Sequence, residues 1–330
     1  RFGRRPVILI SNFGLGIDYV VMALAPSLGW LFLGRVVSGI TAASISTAYA
    51  YVADVTPPEA RAGRFGMLGA AFGIGFVFGP ALGGLTGGID PRLPFWIAAV
   101  LSLLNAMYGL FVLPESLPRG RRGPFSWQRA NPVGALELLR SKTGLLGLAG
   151  VNFLSGLAHA ALPSAGVLYM MYRYGFSERT VGLTMAGVGI AAVVVQGGVT
   201  ARAVKRFGER VTLIAGLAFG VAGFAVFGLA PTGAVFWLGI PVMALWGLAN
   251  PSSAALMSRR IDARHQGELQ GANASLLGVA NLIGPELYMQ TFAFAIGAAI
   301  DWGLPGAPYL LAAALLAVAI AVAWRATRSG

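Results

Sequence analysis

Cysteine is absent from this chain of 330 residues, and His159 and His265 are its only histidines. The absence of cysteine excludes disulfide bonds and thiolate metal sites, and two histidines far apart in the sequence argue against a metal centre. Charge is also scarce: Asp, Glu, Lys and Arg make up 11% of the residues, whereas an average soluble domain has about 25%. Hydrophobic residues make up 56%. This composition indicates a chain whose solvent is the lipid bilayer rather than water.

Motifs for common enzyme chemistry are missing too. No Gly-x-x-x-x-Gly-Lys-Ser/Thr segment occurs, so nucleotide hydrolysis has no support in the sequence. No pairing of a nucleophile with a base and no metal-ligand spacing is found, so we expect neither an enzyme nor a cofactor. The net charge of +12 is also found in nucleic-acid-binding proteins, but here the basic residues fall between apolar stretches, where they indicate membrane topology. We therefore expect no nucleic-acid partner, and no feature indicates an obligate protein partner.

An internal repeat is the most informative feature that is present. Residues 1–85 recur 205 positions later. The shared landmarks are Arg1-Phe2-Gly3-Arg4-Arg5 with Arg206-Phe207-Gly208-Glu209-Arg210, Pro26 with Pro231, Gly66 with Gly271, Gly73 with Gly278, and Gly79-Pro80 with Gly284-Pro285. In each copy the Arg-Phe-Gly loop precedes four apolar segments. Such a duplication of membrane helices is typical of transporters.

Ten segments are long enough to cross a hydrocarbon core, which takes about 20 apolar residues. They are 7–25, 30–52, 65–86, 93–113, 144–170, 180–200, 211–230, 234–257, 269–298 and 305–324. Two spans precede the Arg-Phe-Gly loop in the second copy and none precedes it in the first. Because the chain also begins without Met, the pattern predicts a fragment of a twelve-span protein that lacks about 60 to 70 residues. The spans present are therefore numbered three to twelve.

The predicted fold is an all-α membrane protein with two pseudo-symmetric six-helix bundles. Residues 1–114 form the N-terminal bundle with spans three to six, and 144–330 form the C-terminal bundle with spans seven to twelve. Of the 24 basic residues, twenty fall on one side of the predicted membrane, three on the other, and Arg35 lies within a span. The positive-inside rule makes the basic side cytoplasmic. The central loop 115–143 and the C-terminus are therefore predicted to be cytoplasmic.

Four ionisable side chains lie inside predicted spans, namely Asp18, Arg35, His159 and Glu286. Each charge costs about 2.5 to 3.5 kcal/mol at a helix centre, so each should face protein or water. In the other repeat copy, the positions of Asp18, Arg35 and Glu286 are held by Gly223, Ile240 and Ala81. The shared fold therefore does not require these three charges, and we predict that they couple transport to protons. The alternatives are a structural ion pair for Asp18 and Arg35, and a simple interhelical hydrogen bond for His159.

Polar side chains within the spans are candidates for the wall of a central cavity that binds a small molecule. They are Asn12, Asn105, Asn152, His159, Tyr169, Gln196, Asn250 and Gln290. The glycines of span 65–86 predict a groove for close packing of a neighbouring helix. They are Gly66, Gly69, Gly73, Gly79 and Gly83. Pro80 removes a helical hydrogen bond and can bend this span. The alternative is that the glycines serve static packing alone.

Several motifs resemble those of a known family. The segment Gly75-Phe76-Val77-Phe78-Gly79-Pro80-Ala81-Leu82-Gly83-Gly84 matches the Gly-x-x-x-Gly-Pro-x-x-Gly-Gly motif of drug/proton antiporters in the major facilitator superfamily. Arg1-Phe2-Gly3-Arg4-Arg5 resembles the end of the superfamily's loop motif, and Leu33 to Gly39 resembles its arginine motif in span four. More narrowly, Gly34 to Thr41, Ala53-Asp54, Leu113 to Ser116 and Arg264 to Gly271 resemble the tetracycline/proton antiporters.

This resemblance implies an antiporter of a bacterial cytoplasmic membrane that expels an amphipathic drug in exchange for a proton. It also implies a coupling role for Asp18, and a gate motif that includes Arg1, Gly3, Arg4 and Arg5. Asp54 and Arg61, which match the family beside a cytoplasmic loop, are expected to latch the inner gate.

The chain departs from the tetracycline pattern at Ala192, where the family has a histidine, and at Gly220, where it has an aspartate. Gln196 matches, and Glu286 is a candidate replacement carboxylate. The alternatives are a proton-coupled transporter of a sugar or other metabolite, a membrane sensor that does not transport, and a decayed fragment.

Overall fold

The computed structural model describes residues 3–41, 43–87, 89–118, 120, 139–140, 144–262 and 265–328. Arg1 and most of the central loop therefore lie outside the described residues. The longer helices are α1 (Arg4–Leu24), α2 (Leu28–Thr41), α3 (Ser44–Val55), α4 (Arg61–Gly87), α5 (Leu93–Val112), α6 (Leu145–Tyr174), α7 (Glu178–Val194), α8 (Thr200–Leu229), α9 (Gly233–Ala244), α10 (Ala249–Arg259), α11 (Gln266–Ile296) and α12 (Ala307–Ala326). No strand occurs in the described ranges.

Within these ranges, six helical stretches are long and apolar enough to cross a membrane. One of them, Arg179–Leu229, covers two predicted spans in 51 residues and has a kink at Gly208. A π-helical segment at Val195–Val199 connects α7 to α8. The prediction of a loop around the second Arg-Phe-Gly motif is therefore wrong for residues 201–207, which are helical. Only Gly208 leaves the helical conformation there, with φ 77° and ψ 163°.

The chain divides into two compact units. The first contains Arg1–Thr56, Phe78–Trp127 and Asp262–Gly271, and the second contains Pro57–Val77, Gln128–Ile261 and Ala272–Gly330. In the first unit α1 packs against α5, α2 and α3. In the second, α12 packs against α6 and α8. The starts of α4 and α11, which are repeat copies of one another, each pack with the unit built mainly from the other half of the sequence.

Helix ends follow local sequence rules. Helix α6 begins after Gly144 and ends at Gly175, and both glycines have left-handed backbones. At the C-terminal end the Gly175 N–H donates to the carbonyls of Met170 and Met171, which would otherwise lack partners. Ser177 caps α7 by accepting a hydrogen bond from the Thr180 backbone N–H at 3.3 Å, and Thr232 caps α9 in the same way.

The two repeat copies share a backbone conformation that only glycine adopts easily. Gly3 has φ 100° and ψ 165°, close to the values of Gly208. A positive φ combined with such a ψ places a side chain against its own backbone, so glycine is required at this corner. The internal repeat thus includes the backbone turn at the glycine of each Arg-Phe-Gly motif.

The glycines of α4 lie on two faces rather than lining one groove. At 100° per residue Gly66, Gly69 and Gly73 lie within about 60° of one another, whereas Gly79 and Gly83 are centred roughly 90° further round the helix. A methyl group at Gly66 would lie 2.5 Å from the carbonyl oxygen of Gln196, and one at Gly73 would lie 2.9 Å from Val193. At Gly79 and Gly83 it would meet no atom within 4 Å. Close packing is therefore seen at Gly66, Gly69 and Gly73, and close packing at Gly79 and Gly83 stays a prediction.

The close packing at Gly66 leads to a prediction about stability. Gly66→Ala should lower the free energy of unfolding by about 1–3 kcal/mol, because the methyl group forces a backbone carbonyl away. Gly75→Ala on the same helix is the matched control, since its methyl group meets no atom within 4 Å. We expect the control to change stability by at most about +1 kcal/mol through helix propensity. Denaturant unfolding in detergent measures both, and equal stabilities would show that this face does not pack closely.

Candidate functional site

An ion pair lies inside the first unit between Asp18 on α1 and Arg35 on α2. Nη2 of Arg35 donates to Oδ2 of Asp18. The Asp18 side chain has no exposed surface, whereas 52% of the Arg35 side chain is exposed. The carboxylate fits because the neighbouring residue on α2 is Gly34, where a methyl group would lie 2.7 Å from Oδ1 of Asp18. The structure therefore brings together two of the three residues predicted to couple protons.

The second oxygen of Asp18 is buried and lacks a hydrogen bond. Oδ1 has no hydrogen-bond partner among the described residues. An unsatisfied buried acceptor is destabilising by about 1–3 kcal/mol. Arg35 therefore compensates one oxygen of the carboxylate, and the other oxygen is left without a partner in the described part of the chain.

A second ion pair stands at the start of α1. Arg4 Nε donates to Asp54 Oδ2 at 2.9 Å, and both side chains are about 5% exposed or less. The Arg4 backbone N–H donates to Glu115 at 2.8 Å, and the Ser116 hydroxyl donates to Asp54 at 3.1 Å. A methyl group at Gly267, at the start of α11, would lie 2.6 Å from Arg4 Nη1. The Arg4 guanidinium therefore joins the ends of α1, α3 and α11.

The repeat reproduces this pair in the second unit with the signs reversed. The positions 205 residues after Arg4 and Asp54 are Glu209 and Arg259, and Arg259 Nε lies 3.0 Å from Glu209 Oε1. The Glu209 side chain is 6% exposed. Nη2 of Arg259 donates to the Pro58 carbonyl at 3.2 Å, just before α4. Sequence reasoning missed this pair, although applying the 205-residue offset to Asp54 would have found it.

Other predicted gate residues also bond to helix ends. Arg61, the first residue of α4, donates to the hydroxyl of Ser258 at 3.0 Å and to its carbonyl at 3.3 Å. Arg5 donates to the Leu110 carbonyl at 2.5 Å near the end of α5. Helix ends carry carbonyls without partners, so guanidinium groups are suited to hold them. Helix α4 continues through the positions of Gly75, Pro80 and Gly84.

Two predicted cavity residues are occupied by internal contacts. Asn152 accepts from the Ser253 hydroxyl at 2.7 Å and donates to Asn273 Oδ1 at 3.3 Å, which links α6, α10 and α11. Tyr169 is 1% exposed and donates to the Phe227 carbonyl at 2.9 Å. Tyr169 therefore lies in an aromatic core instead of a cavity wall, because its hydroxyl finds a backbone acceptor inside the bundle.

The remaining candidates retain exposed surface. Asn105, His159, Asn250, Glu286 and Gln290 are exposed, and Asn12 and Gln196 are half-buried. Glu286 does not stand alone, because Gln290 one turn later donates to its Oε1 at 2.7 Å. The His159 ring lies 5.9 Å from the Trp246 ring, centroid to centroid. Within the described ranges no group of three His, Cys, Asp or Glu residues is placed to hold a metal ion.

Comparison with known proteins identifies relatives of this chain. It is 38% identical over 323 residues to the class C tetracycline resistance protein of Escherichia coli, covering 97% of this chain and 79% of that protein. It is 34% identical to the class G tetracycline resistance protein of Vibrio anguillarum, covering 91% of this chain and 76% of the relative. The crystal structure of the human organic anion transporter MFSD10 (TETRAN) superposes with a TM-score of 0.86 over 97% of this chain and 77% of that one. At 23% identity this last similarity shows the fold alone.

The family model for the Major Facilitator Superfamily matches residues 1–285. Its transporters act on small molecules and are not enzymes, which agrees with the charges buried in apolar helices and with the duplicated bundle. This multi-pass helical membrane protein belongs to the Major Facilitator Superfamily.

Proposed function

We propose that this protein expels a drug-like amphipathic small molecule across a bacterial cytoplasmic membrane in exchange for protons, by alternating access. The observation that carries the proposal is the buried Asp18, paired on one oxygen with Arg35 and without a hydrogen bond on the other. A carrier of protons needs a titratable group whose two states are both tolerated. The similarity to tetracycline resistance proteins supports a drug as the substrate, and the departures at Ala192 and Gly220 leave a compound other than tetracycline open.

The two reversed ion pairs fit the role of a cytoplasmic latch. Arg4 reaches the start of α11 and Arg259 reaches the start of α4. In our proposal these contacts hold the cytoplasmic ends of the helices in one state and break when the transporter changes state. The uncovered face with Gly79 and Gly83 is then the surface that a neighbouring helix covers in the other state.

We further propose that the chain has ten membrane spans, with α2 and α3 forming one and α9 and α10 forming another. The bundles are then residues 1–114 and 144–330, joined by a cytoplasmic loop at 115–143.

Topology provides the first test of this proposal. A cysteine introduced by Gly120→Cys should resist a membrane-impermeant maleimide in intact cells, whereas one introduced by Asp301→Cys should be labelled. The chain has no cysteine of its own, so each variant reports a single site. Inside-out vesicles should reverse the pattern. Labelling of the Gly120→Cys variant in intact cells would overturn the orientation.

Proton coupling at Asp18 is tested by Asp18→Asn, which keeps the size and removes the titratable proton. We expect transport driven by a pH gradient to fall to background in proteoliposomes, because the variant cannot take up a proton at Oδ1. Substrate exchange without a gradient should survive, since an amide can still bond to Arg35. Undiminished gradient-driven transport would refute the carrier role, and uptake in the direction of proton flow would instead favour a symporter.

Glu286 is tested by Glu286→Gln in the same vesicles. If Glu286 replaces the carboxylate missing at Gly220, gradient-driven transport should fail as it does for Asp18→Asn. If it is only an anion in the binding site, cationic substrates alone should bind more weakly. Unchanged transport and unchanged binding of cations would exclude both roles.

The reversed latch is tested by charge exchange. Arg259→Glu places two carboxylates side by side, and Glu209→Arg places two guanidiniums there, so each should slow transport about tenfold, equivalent to ~1.4 kcal/mol. The double variant restores opposite charges and should recover to within about threefold of the parent. Lys205→Glu, at an exposed position nearby in sequence, controls for net charge. A double variant no better than either single would show that the pair is not a unit.

A further inference from the structure

An aromatic pair with exposed surface lies in the second unit, apart from the ion pairs described above. His159 on α6 is exposed, and Trp246 in the short 3-10 helix Leu245–Leu248 is half-buried. Their ring planes meet at 41°. Rings inclined in this way do not stack on each other, so part of each face stays available to a third ring.

The indole of Trp246 also packs against α8. A methyl group at Gly220 would lie 2.8 Å from Trp246 Cδ1 and 2.6 Å from Leu316 Cδ1, so the indole occupies the space that a side chain at 220 would need. Fully buried Phe224, one turn later on α8, packs its edge against the indole with centroids 5.4 Å apart at 62°. The ring is thus held in place before any ligand arrives, and ordering it on binding costs little free energy.

The indole N–H of Trp246 is free to bond to a ligand. Within the part of the chain that the structure describes, the Trp246 indole N–H has no hydrogen-bond acceptor. The next residue, Gly247, lies against Gln196, where an added methyl group would come within 3.0 Å of Cγ of the glutamine. A buried or half-buried indole N–H usually finds a partner, so this donor is available to a bound molecule.

We propose that His159 and Trp246 form a binding site for a planar aromatic ring that carries a hydrogen-bond acceptor. The ring packs on the indole and imidazole faces, and its acceptor receives the indole N–H. This set contains no carboxylate, so the site recognises its ligand by stacking and does not require a positive charge. The inference rests on the proposed function, because it names the class of substrate that the exporter carries.

Equilibrium binding to the purified protein in nanodiscs, without a pH gradient, tests the site. The probes are tetracycline, the cation ethidium and the anion 8-anilinonaphthalene-1-sulfonate, which share planar aromatic rings and differ in charge. We expect at least one to bind, with its Kd raised about tenfold by Trp246→Ala and roughly threefold or less by Trp246→Phe. Gly220→Ala should also weaken binding, because its methyl group displaces the indole.

Controls separate this result from misfolding and from failure of the proposed function. Gly187→Ala on α7 is the matched glycine control, since its methyl group meets no atom within 4 Å, and it should leave the Kd unchanged. Asp18→Asn should bind the probes normally while losing gradient-driven transport. Normal binding in a parent that shows no proton-driven transport would reject the proposed function and keep the site. Absence of binding by all three probes, or an unchanged Kd in a folded Trp246→Ala protein, would overturn the site.

Discussion

An ionised side chain inside a bilayer must be paired or hydrated, and this constraint governs the arrangement around Asp18. Moving a carboxylate out of water is strongly unfavourable unless a partner charge and hydrogen bonds compensate. Arg35 supplies the charge, and Gly34 supplies the space that lets the carboxylate approach α2. Only one oxygen is compensated in this way. In our proposal, the other oxygen is the atom at which Asp18 takes up a proton.

The internal repeat separates what the fold requires from what function adds. Gly3 and Gly208 share a backbone conformation, so the corner belongs to the architecture. An ion pair also follows each corner, but its sign is reversed between Arg4–Asp54 and Glu209–Arg259. In both copies the guanidinium of the pair contacts the start of a helix. Arg4 lies against the start of α11, and Arg259 bonds to Pro58 just before α4. Both copies thus place a cation next to a helix start. The cation is on α1 in the first copy and on α10 in the second.

Sequence reasoning could predict features that depend on composition and period. It found the repeat, the helical membrane class and the charges within spans, because each leaves a signal in the residues themselves. It could not say that Gly66 is covered and Gly79 is not, since helical periodicity separates the two positions but does not show which neighbouring helix packs against them. It also placed Tyr169 in a cavity, because the Phe227 carbonyl that accepts its hydrogen bond is brought near only by tertiary packing.

Position 220 is a glycine in this chain, where the tetracycline pattern has an aspartate. This difference bears on which helices bind the substrate and which carry the proton in our proposals. A side chain at 220 would collide with Trp246, so the fixed indole requires glycine at this position. An aromatic surface needs no partner charge in a low-dielectric bundle, whereas a carboxylate does. In our proposals the second unit can then select a ring by stacking, while proton uptake remains with Asp18 in the first unit. Recognition and coupling would be carried by different helices, so substrate range could change without loss of the proton-carrying carboxylate.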